Sequence, residues 1–358
     1  MNFPRNPDLH CHSKFSDGTL SPQQLAARAA SVGVDLWALT DHDTIEGVAA
    51  AQRAAGMYGI AFLTGVEISI TWQEATVHIV GLGFDPDNKE LRAGLDAIRA
   101  SREPRAREMA SRIERETGVQ GAYEGALRHA SNKNLVARPH FARLLVERGI
   151  CRNTAEAFKR YLGTRCPCFV PHKWATMEQA VGWIRAAGGM AVVAHPGDYS
   201  SFSSSQVLTM LKHFKSLGGE GVEVVHGSHS PEQMRLYATV AQKMGLLASR
   251  GSDFHCPKES RINLGALPPH PEGLPGVWEN WASASSSNPG RRRSSCTFVY
   301  LPARGSCIFV YIPALETCIF VYRHHRWMVW NVPCCSNARC MTSFCAGSES
   351  PPAPAPSL

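Results

Sequence analysis

His10-Cys11-His12 stands five residues before Asp17, and Thr40-Asp41-His42-Asp43 closes the next apolar run. Glu67 then falls near the end of "IAFLTGVEIS" and His78 opens "VHIVGLGF". His195 ends "GMAVVAH", His226 ends "EGVEVVH", and Asp253 and His255 close "GLLASRGSDFH". Imidazole nitrogens together with carboxylate oxygens are the donor set that divalent transition metals select. One histidine or aspartate at a strand end is ordinarily a loop or cap residue. The same residue types at one strand end after another point instead to a shared cation site. Period-two geometry puts His10 and His12 on one side of their strand and Cys11 on the other, and it separates Phe254 from Asp253 and His255 in the same way. Cys11 is therefore expected to pack, and Asp17 to sit in the loop over the face of the two histidines.

These residues need a scaffold that gathers strand ends. Residues 8–12 read as a first strand. Ser21-Pro22-Gln23-Gln24 is a capping box with proline at the first helical position, and Gly33 is the expected stop. "VDLWALTDHDT" reads as the second strand, and Thr44 opens a helix ending near Gly56. The later apolar runs supply five more strands, with helical segments over about 176–187, 204–217 and 231–244. Seven βα-like units predict an α/β barrel of largely parallel strands, with its site at the C-terminal strand ends. "RPHFARLLVERGI" and "NTAEAFKRYLG" interrupt the alternation as short helices. The barrel is thus expected in two parts, 1–98 and 168–281, around a helical insertion at 99–167.

From Ala282 the character changes. "ASASSSNPGRRRSS" has linker composition, and "CTFVYLPARGS", "CIFVYIPALET" and "CIFVYRHH" repeat with Cys296, Cys307 and Cys318 in register. Solenoid repeats are longer than this, so residues 282–358 are expected to form a low-complexity, disordered or frameshifted tail. A metal tail built on Cys334, Cys335, Cys340 and Cys345 is the rival reading, weakened by the lack of a C-x-x-C pair.

The formal charge of +7 hides an uneven distribution. Residues 99–173 carry 16 Lys and Arg against 7 Asp and Glu, and the tail is basic too, so the remaining body is net acidic. An acidic body suits cations, and a basic insertion suits an anionic substrate lying over them. Of the 12 cysteines, five lie in the body without a disulfide framework, which fits a reducing compartment. No apolar run approaches the roughly 18 residues of a membrane span, and the first residues lack the apolar stretch of a secretory leader. A cytoplasmic enzyme with no membrane partner is the expectation.

The motifs "DLHCHSKFSDG", "ALTDHDT", "GVEIS", "HIVGL", "VAHPG" and "GSDFH" together resemble the PHP (polymerase and histidinol phosphatase) family, over residues 8–281. "NLVARPHFARLL", "FVPHKW" and the closing "LPPHPEGLPGVWENW" are similar to the branch of 3′,5′-nucleoside bisphosphate phosphatases and 5′→3′ exoribonucleases of the RNase AM type. The resemblance implies a distorted seven-stranded (β/α) barrel holding three divalent ions, with Mn2+ as the metal and Fe or Zn compatible with the same ligands. Carried over motif by motif, one ion takes His10, His12, Glu67 and Asp253. A second takes Glu67, His78 and His195, and a third takes Asp17, His42 and His255. Glu67 is the expected catalytic bridge, setting two ions close enough to share an attacking hydroxide. Asp41 is expected to orient a ligand imidazole from behind. Three dications outweigh the carboxylates around them, which suits a phosphate dianion.

For the substrate, Arg138 and His140 of "RPH" and Lys173 of "HKW" are candidates to meet a second phosphate or a nucleotide backbone; the bland alternative is a set of solvated helix charges. His226 and His229 of "VHGSH" either serve phosphate or the leaving oxygen, or are loop residues. The expected reaction is hydrolysis of the 3′-phosphate of nucleoside 3′,5′-bisphosphates. The alternatives are 5′→3′ exonuclease action on short 5′-phosphorylated RNA or DNA and, in another class, a metal-binding accessory module without turnover. The partner is accordingly a small nucleotide or a short single-stranded nucleic acid.

Overall fold

The computed structural model describes residues 4–281 and the strand segments 306–312, 317–323 and 327–333. Two compact units divide the chain, Met1–Ser283 and Ala284–Leu358. In the first, β1 (Pro7–Asp8), β2 (Leu36–Leu39), β3 (Ala61–Trp72), β4 (Ala75–Leu82), β5 (Met190–Val193), β6 (Gly221–His226) and β7 (Leu247–Gly251) lie in sequence order in one sheet. A bridge between Cys11 and Phe254 joins the first segment to the last. Hydrogen bonds from Leu9 N to Arg250 O (2.9 Å) and from His12 N to Phe254 O (2.9 Å) reinforce it. The sheet thereby nearly closes on itself as a distorted seven-stranded barrel.

One distortion departs from a largely parallel barrel. Strands β1–β3 pair in parallel, as do β5–β7, but β4 is antiparallel to both of its neighbours. The cause is local. Gln73 and Glu74, at φ of 43° and 67°, join β3 to β4 in a two-residue hairpin. Such turns are ordinarily marked by Asn or Gly, so this pair does not advertise itself. Reversal of β4 brings its beginning, with His78, to the barrel end where the other strands bring their C-termini.

The helices follow their caps. In chain order they are α1 (Pro22–Ser31), α2 (Val48–Met57), α3 (Lys89–Ala100), α4 (Arg102–Thr117), α5 (Ala122–His129), α6 (Arg138–Glu147), α7 (Thr154–Ala157), α8 (Met177–Ala186), α9 (Ser204–Ser216) and α10 (Pro231–Met244). Ser21, Thr176, Ser203 and Ser230 each cap a helix reciprocally with a glutamine three residues on. Helix α2 starts later than Thr44 because the preceding residues belong to the site: Asp43 has φ 50°, and its carbonyl accepts from Arg99 Nη1 at 2.7 Å. Helices α4–α7, continued by a π-turn at Phe158–Leu162, build a hydrophobic cluster of their own around Met109, Ile113, Phe141, Leu144 and Leu145. Full burial of such side chains contributes about 1.5–3 kcal/mol each. Gly125 lets α5 approach α6, since a Cβ there would lie 2.6 Å from Leu144 Cδ1.

In the second unit, β8 (Ser306–Ile312), β9 (Thr317–Arg323) and β10 (Trp327–Pro333) form an antiparallel sheet with β9 in the middle. Phe-Val-Tyr runs have the β-branched and aromatic composition that strands favour. Cys296, Cys334, Cys335, Cys340 and Cys345 lie outside the described residues. Among the described residues no helix is long and apolar enough to cross a membrane.

Candidate metal centre

Glu67 is the hub. It lies in the middle of β3, opposite Val80, and is 1% exposed. Its Oε2 is 2.9 Å from His42 Nδ1, 3.2 Å from His12 Nε2 and 3.3 Å from His10 Nε2. Its Oε1 is 3.0 Å from both His78 Nδ1 and His195 Nε2. Asp253 Oδ1 closes another side at 3.1 Å from His12 Nε2 and 3.5 Å from His10 Nε2. Asp17 meets His255 Nε2 at 3.3 Å and His42 Nε2 at 3.7 Å. The nine residues singled out as ligands are gathered in one cluster, although they come from six different strands or the loops after them. His78 reaches it from the reversed strand, diagonal to Glu67 across the hairpin.

The donor set fits divalent cations. His10 Nε2, His12 Nε2, His42 Nδ1 and Glu67 Oε2 are buried and crowd one another, yet none makes a hydrogen bond. His78 Nδ1 and His195 Nε2 lie 3.2 Å apart while both face the same oxygen. Buried polar atoms left in this state are costly, and a shared cation satisfies them together. Four donor groups have ligand atoms within 4.8 Å of one another among the described residues: His12–Asp17–His42–His255, His10–His12–Glu67, His42–Glu67–His78 and, beside them, His10–Glu223–His226.

The charges agree. Burial works to raise the Glu67 carboxyl, but His42, His78 and His10 overcome it and hold the group well below the usual carboxylate range. Asp17 and Asp253 are likewise held well below theirs, against burial, by His255 and His10 respectively. In return, and again against burial, Glu67 brings His195 up to about 9, and Asp17 and Asp253 bring His255 up to about 10. Burial prevails at His78 and pushes it down to about 4. Three of the five non-glycine residues with positive φ among the described residues, Asp43, His195 and Asp253, lie at this centre. Strain of that kind persists only where the surroundings over-determine it.

Several supporting residues were not visible in the sequence. Glu223, 1% exposed in β6, accepts from His10 Nδ1 at 2.8 Å and from the His195 backbone N–H at 2.7 Å. It thus fixes the His10 ring with Nε2 turned inwards. Its one signal was an acid between valines in "GVEVVH". Asp41 touches no imidazole directly. Its carboxylate accepts from Ser13 N (2.7 Å), Ser13 Oγ (2.6 Å) and Ser16 Oγ (2.7 Å), and Ser16 Oγ lies 3.5 Å from His12 Nδ1, so Asp41 shapes the loop that carries Asp17 and stands one hydroxyl away from that ring. Alternation places a residue on a side but does not say which neighbour fills that side, so the intervening serine was not readable. Outer partners of metal-bound histidines typically contribute 10–100-fold to affinity. Glu223→Gln is therefore expected to weaken divalent-cation binding by about tenfold or more with an unchanged circular dichroism spectrum; titration of the chelator-stripped protein with Mn2+, Fe2+ and Zn2+ checks it, and wild-type affinity would remove Glu223 from this role.

The other candidates are spread out. Cys11 and Phe254 face a hydrophobic cluster, and Cys11 Sγ accepts from Trp37 Nε1 at 3.1 Å. His229 uses both ring nitrogens inside the fold: Nδ1 donates to Val224 O (3.1 Å), and Nε2 accepts from Gly197 N (3.1 Å). It braces the turn after His195 and is not turned to a substrate. His226, buried beside Glu223, is pushed down to about 4 by burial. His140 is fully buried, and its Nδ1 accepts from Ala137 N at 2.9 Å to start α6. Lys173 is exposed.

Of the four candidates for substrate contact, Arg138, His140, Lys173 and His229, Arg138 alone lines the cleft that opens beside Asp17, His42, His78 and His255. Arg102 and Arg105 stand with it there, together with Phe158 and Trp174. Trp174 carries the Arg102 guanidinium at 4.7 Å and that of Arg105 at 5.3 Å. Arg102 is paired with Asp43 and donates to Ser69 Oγ at 3.2 Å. Burial, with Arg138 and Arg102 close by, pushes Arg105 down to about 9. Positive charge is therefore concentrated beside the candidate ligands Asp17, His42, His78 and His255.

Fold and centre together define a barrel of the metal-dependent hydrolase class. The profile described as the PHP domain matches residues 8–142, and the chain belongs to the PHP family. It is 46% identical over 272 residues to a 3′,5′-nucleoside bisphosphate phosphatase of Chromobacterium violaceum, covering 76% of this chain and 93% of that protein. It is 42% identical over 274 residues to a 5′-3′ exoribonuclease of Haemophilus influenzae, covering 76% and 98%. A solved structure of an amidohydrolase from Chromobacterium violaceum, with bound SO4 and no metal, superposes with a TM-score of 0.75 at 44% identity, covering 78% of this chain and 96% of that one.

Proposed function

We propose that this chain is a phosphoester hydrolase that removes the 3′-phosphate from nucleoside 3′,5′-bisphosphates, using three divalent ions, Mn2+ foremost. The observation that carries the reading is the arginine cleft opening directly onto the metal-ligand face. When bound, the ions supply Lewis acidity at the phosphate oxygens and activate water at neutral pH. The chain does the rest. His10, His12, Glu67 and Asp253 form one binding group, Glu67, His78 and His195 a second, and Asp17, His42 and His255 a third. Glu67 shares its two oxygens between the first two. Arg138, Arg105 and Arg102 bind the other phosphate, with Asp43 fixing the angle of Arg102. Phe158 and Trp174 give the cleft apolar walls that exclude water and admit a sugar or base. In this reading the segment 99–167 is a substrate clamp placed between the two parts of the barrel, and a reducing cytoplasm suits the five free cysteines of the body.

A second reading, stepwise removal of nucleotides from the 5′ end of a short RNA, is favoured by the excess of basic residues in the clamp. One experiment separates the two. The full chain with Mn2+ is offered adenosine 3′,5′-bisphosphate or a 5′-phosphorylated RNA oligomer, and free phosphate is scored against released mononucleotides. Phosphate from the bisphosphate supports the first reading, and mononucleotides from the oligomer support the second. Metal uptake with neither product would mean a binding module without turnover. In the same assay Arg138→Met is expected to raise KM for the bisphosphate about 30-fold, the equivalent of ~2 kcal/mol for a charged hydrogen bond. It should leave KM for a 3′-monophosphate lacking the 5′ group nearly unchanged; equal losses on both substrates would count against the clamp.

A further inference from the structure

We infer that Arg143 is a positioning residue for the metal ion assigned to Asp17, His42 and His255, so that helix α6 holds that ion's ligand loops in register. The inference rests on the metal centre described above. Arg143 projects from α6, whose opposite face, Phe141, Leu144 and Leu145, is anchored in the cluster of the insertion. Its guanidinium spans two loops at once. Nε lies 3.1 and 3.2 Å from the two carboxylate oxygens of Glu259, and Nη2 donates to Glu259 Oε2 at 2.8 Å. Nη2 also donates to the backbone carbonyl of Asp17 at 2.8 Å. Arg143 and Glu259 are 10% and 24% exposed, so the pair is partly shielded from solvent screening.

Both loops end at ligands of the same ion. Glu259 lies in the turn that follows His255, where Ser260 Oγ accepts from His255 N (2.8 Å) and Cys256 N (3.0 Å). Asp17 meets His255 Nε2 and His42 Nε2 directly. Thr19 N, donating to His255 O at 2.9 Å, is the backbone tie between the loops, and Arg143 adds a side-chain tie. A planar fork that engages a carboxylate and a carbonyl together sets both spacing and angle, which an ammonium cannot do. Asn132 supports the same seam, with Nδ2 at 3.2 Å from Phe15 O and 3.3 Å from Glu46 Oε2. The ligands of the other two groups, His10, His12, Glu67, His78, His195 and Asp253, receive none of these contacts directly. Loss of Arg143 should therefore loosen one ion and spare two.

The test strips the full chain with chelator, titrates it with Mn2+ and reads free Mn2+ by electron paramagnetic resonance. In Arg143→Met the weakest-held equivalent should bind about ten- to a hundredfold less tightly, the tighter equivalents should be unchanged, and excess Mn2+ should restore phosphoester hydrolysis. Arg143→Lys should recover part of the affinity, and Glu259→Gln, which keeps the bond to the Asp17 carbonyl, should fall between. An Arg143→Met protein with wild-type melting that fills every equivalent at wild-type affinity overturns the inference. Uniform weakening of all equivalents does so too, because that is general loosening. Should Arg143→Met fail to fold, Glu259→Gln decides alone: an unchanged last equivalent overturns the inference. Wild-type protein that takes up no Mn2+, Fe2+ or Zn2+ overturns the metal centre itself and this inference with it.

Discussion

Glu67→Gln is expected to lower kcat/KM for phosphoester hydrolysis by at least about a thousandfold, ~4 kcal/mol of transition-state stabilisation, and to cost the protein at least one equivalent of Mn2+. The expectation follows from the two oxygens of one carboxylate serving five imidazoles, at 2.9 to 3.3 Å. An amide keeps the shape but loses the charge and turns one oxygen into a donor, so it cannot bridge. The change also removes the only full charge that His10, His42, His78 and His195 share, and breaking a buried pair from one side typically costs about 3–5 kcal/mol. The metal-free variant should therefore melt lower than the metal-free wild type. Steady-state kinetics with parallel metal analysis checks the prediction. A variant within tenfold of wild type and fully loaded would mean that the ions do not share Glu67.

Metal removal is the second large effect, and its pH dependence has a definite sign. A ligand present at about a thousand times its Kd stabilises the folded state by roughly 4 kcal/mol. For a body of this size, at 2–4 °C per kcal/mol, chelation should lower Tm by about 10 °C. In the metal-free protein His195 and His255 have folded-state values near 9 and 10, above the ordinary imidazole value of 6.5. Their contribution as imidazolium ions is fully present below 6.5 and is lost as pH rises through 9 to 10. His78 and His226, near 4, run the other way, but only below 6.5. Metal binding needs the neutral rings and so strengthens as pH rises. The gap in Tm between loaded and chelated protein should thus widen from pH 6.5 towards 9. Differential scanning calorimetry with and without chelator at three pH values measures it, and a gap that narrows with pH would contradict the assignment of His195 and His255.

The same residues show how far one-dimensional reading reaches. His10, His12 and Cys11 obey alternation, which is a property of three consecutive residues, and the separation of ligand from packing residue was legible in the chain. The capping box at Ser21 was equally local, because a cap hydrogen bond spans three residues. The hairpin at Gln73-Glu74 was not legible, since its two positive φ values are imposed by the sheet on residues without a preference for them. Nor was the role of Asp41, whose neighbours depend on how the loop 13–18 folds back over β2.

The quoted motifs carried the family resemblance. Residue types at strand ends were enough to single out the imidazoles and carboxylates that gather in one cluster and the barrel end that carries them. Those features depend on short-range period and on side-chain chemistry, both of which are written in the chain directly. Only the tertiary structure decided that Glu223 backs His10 across 213 residues. Packing likewise settled that β4 runs backwards, that Arg102 and Arg105 join Arg138 while His140 and His229 turn inwards, and that Arg143 reaches Asp17 and Glu259. Each of these pairings is set by closure of the barrel and by packing of the insertion against it. Such long-range contacts leave no period in a sequence by which they could be recognised.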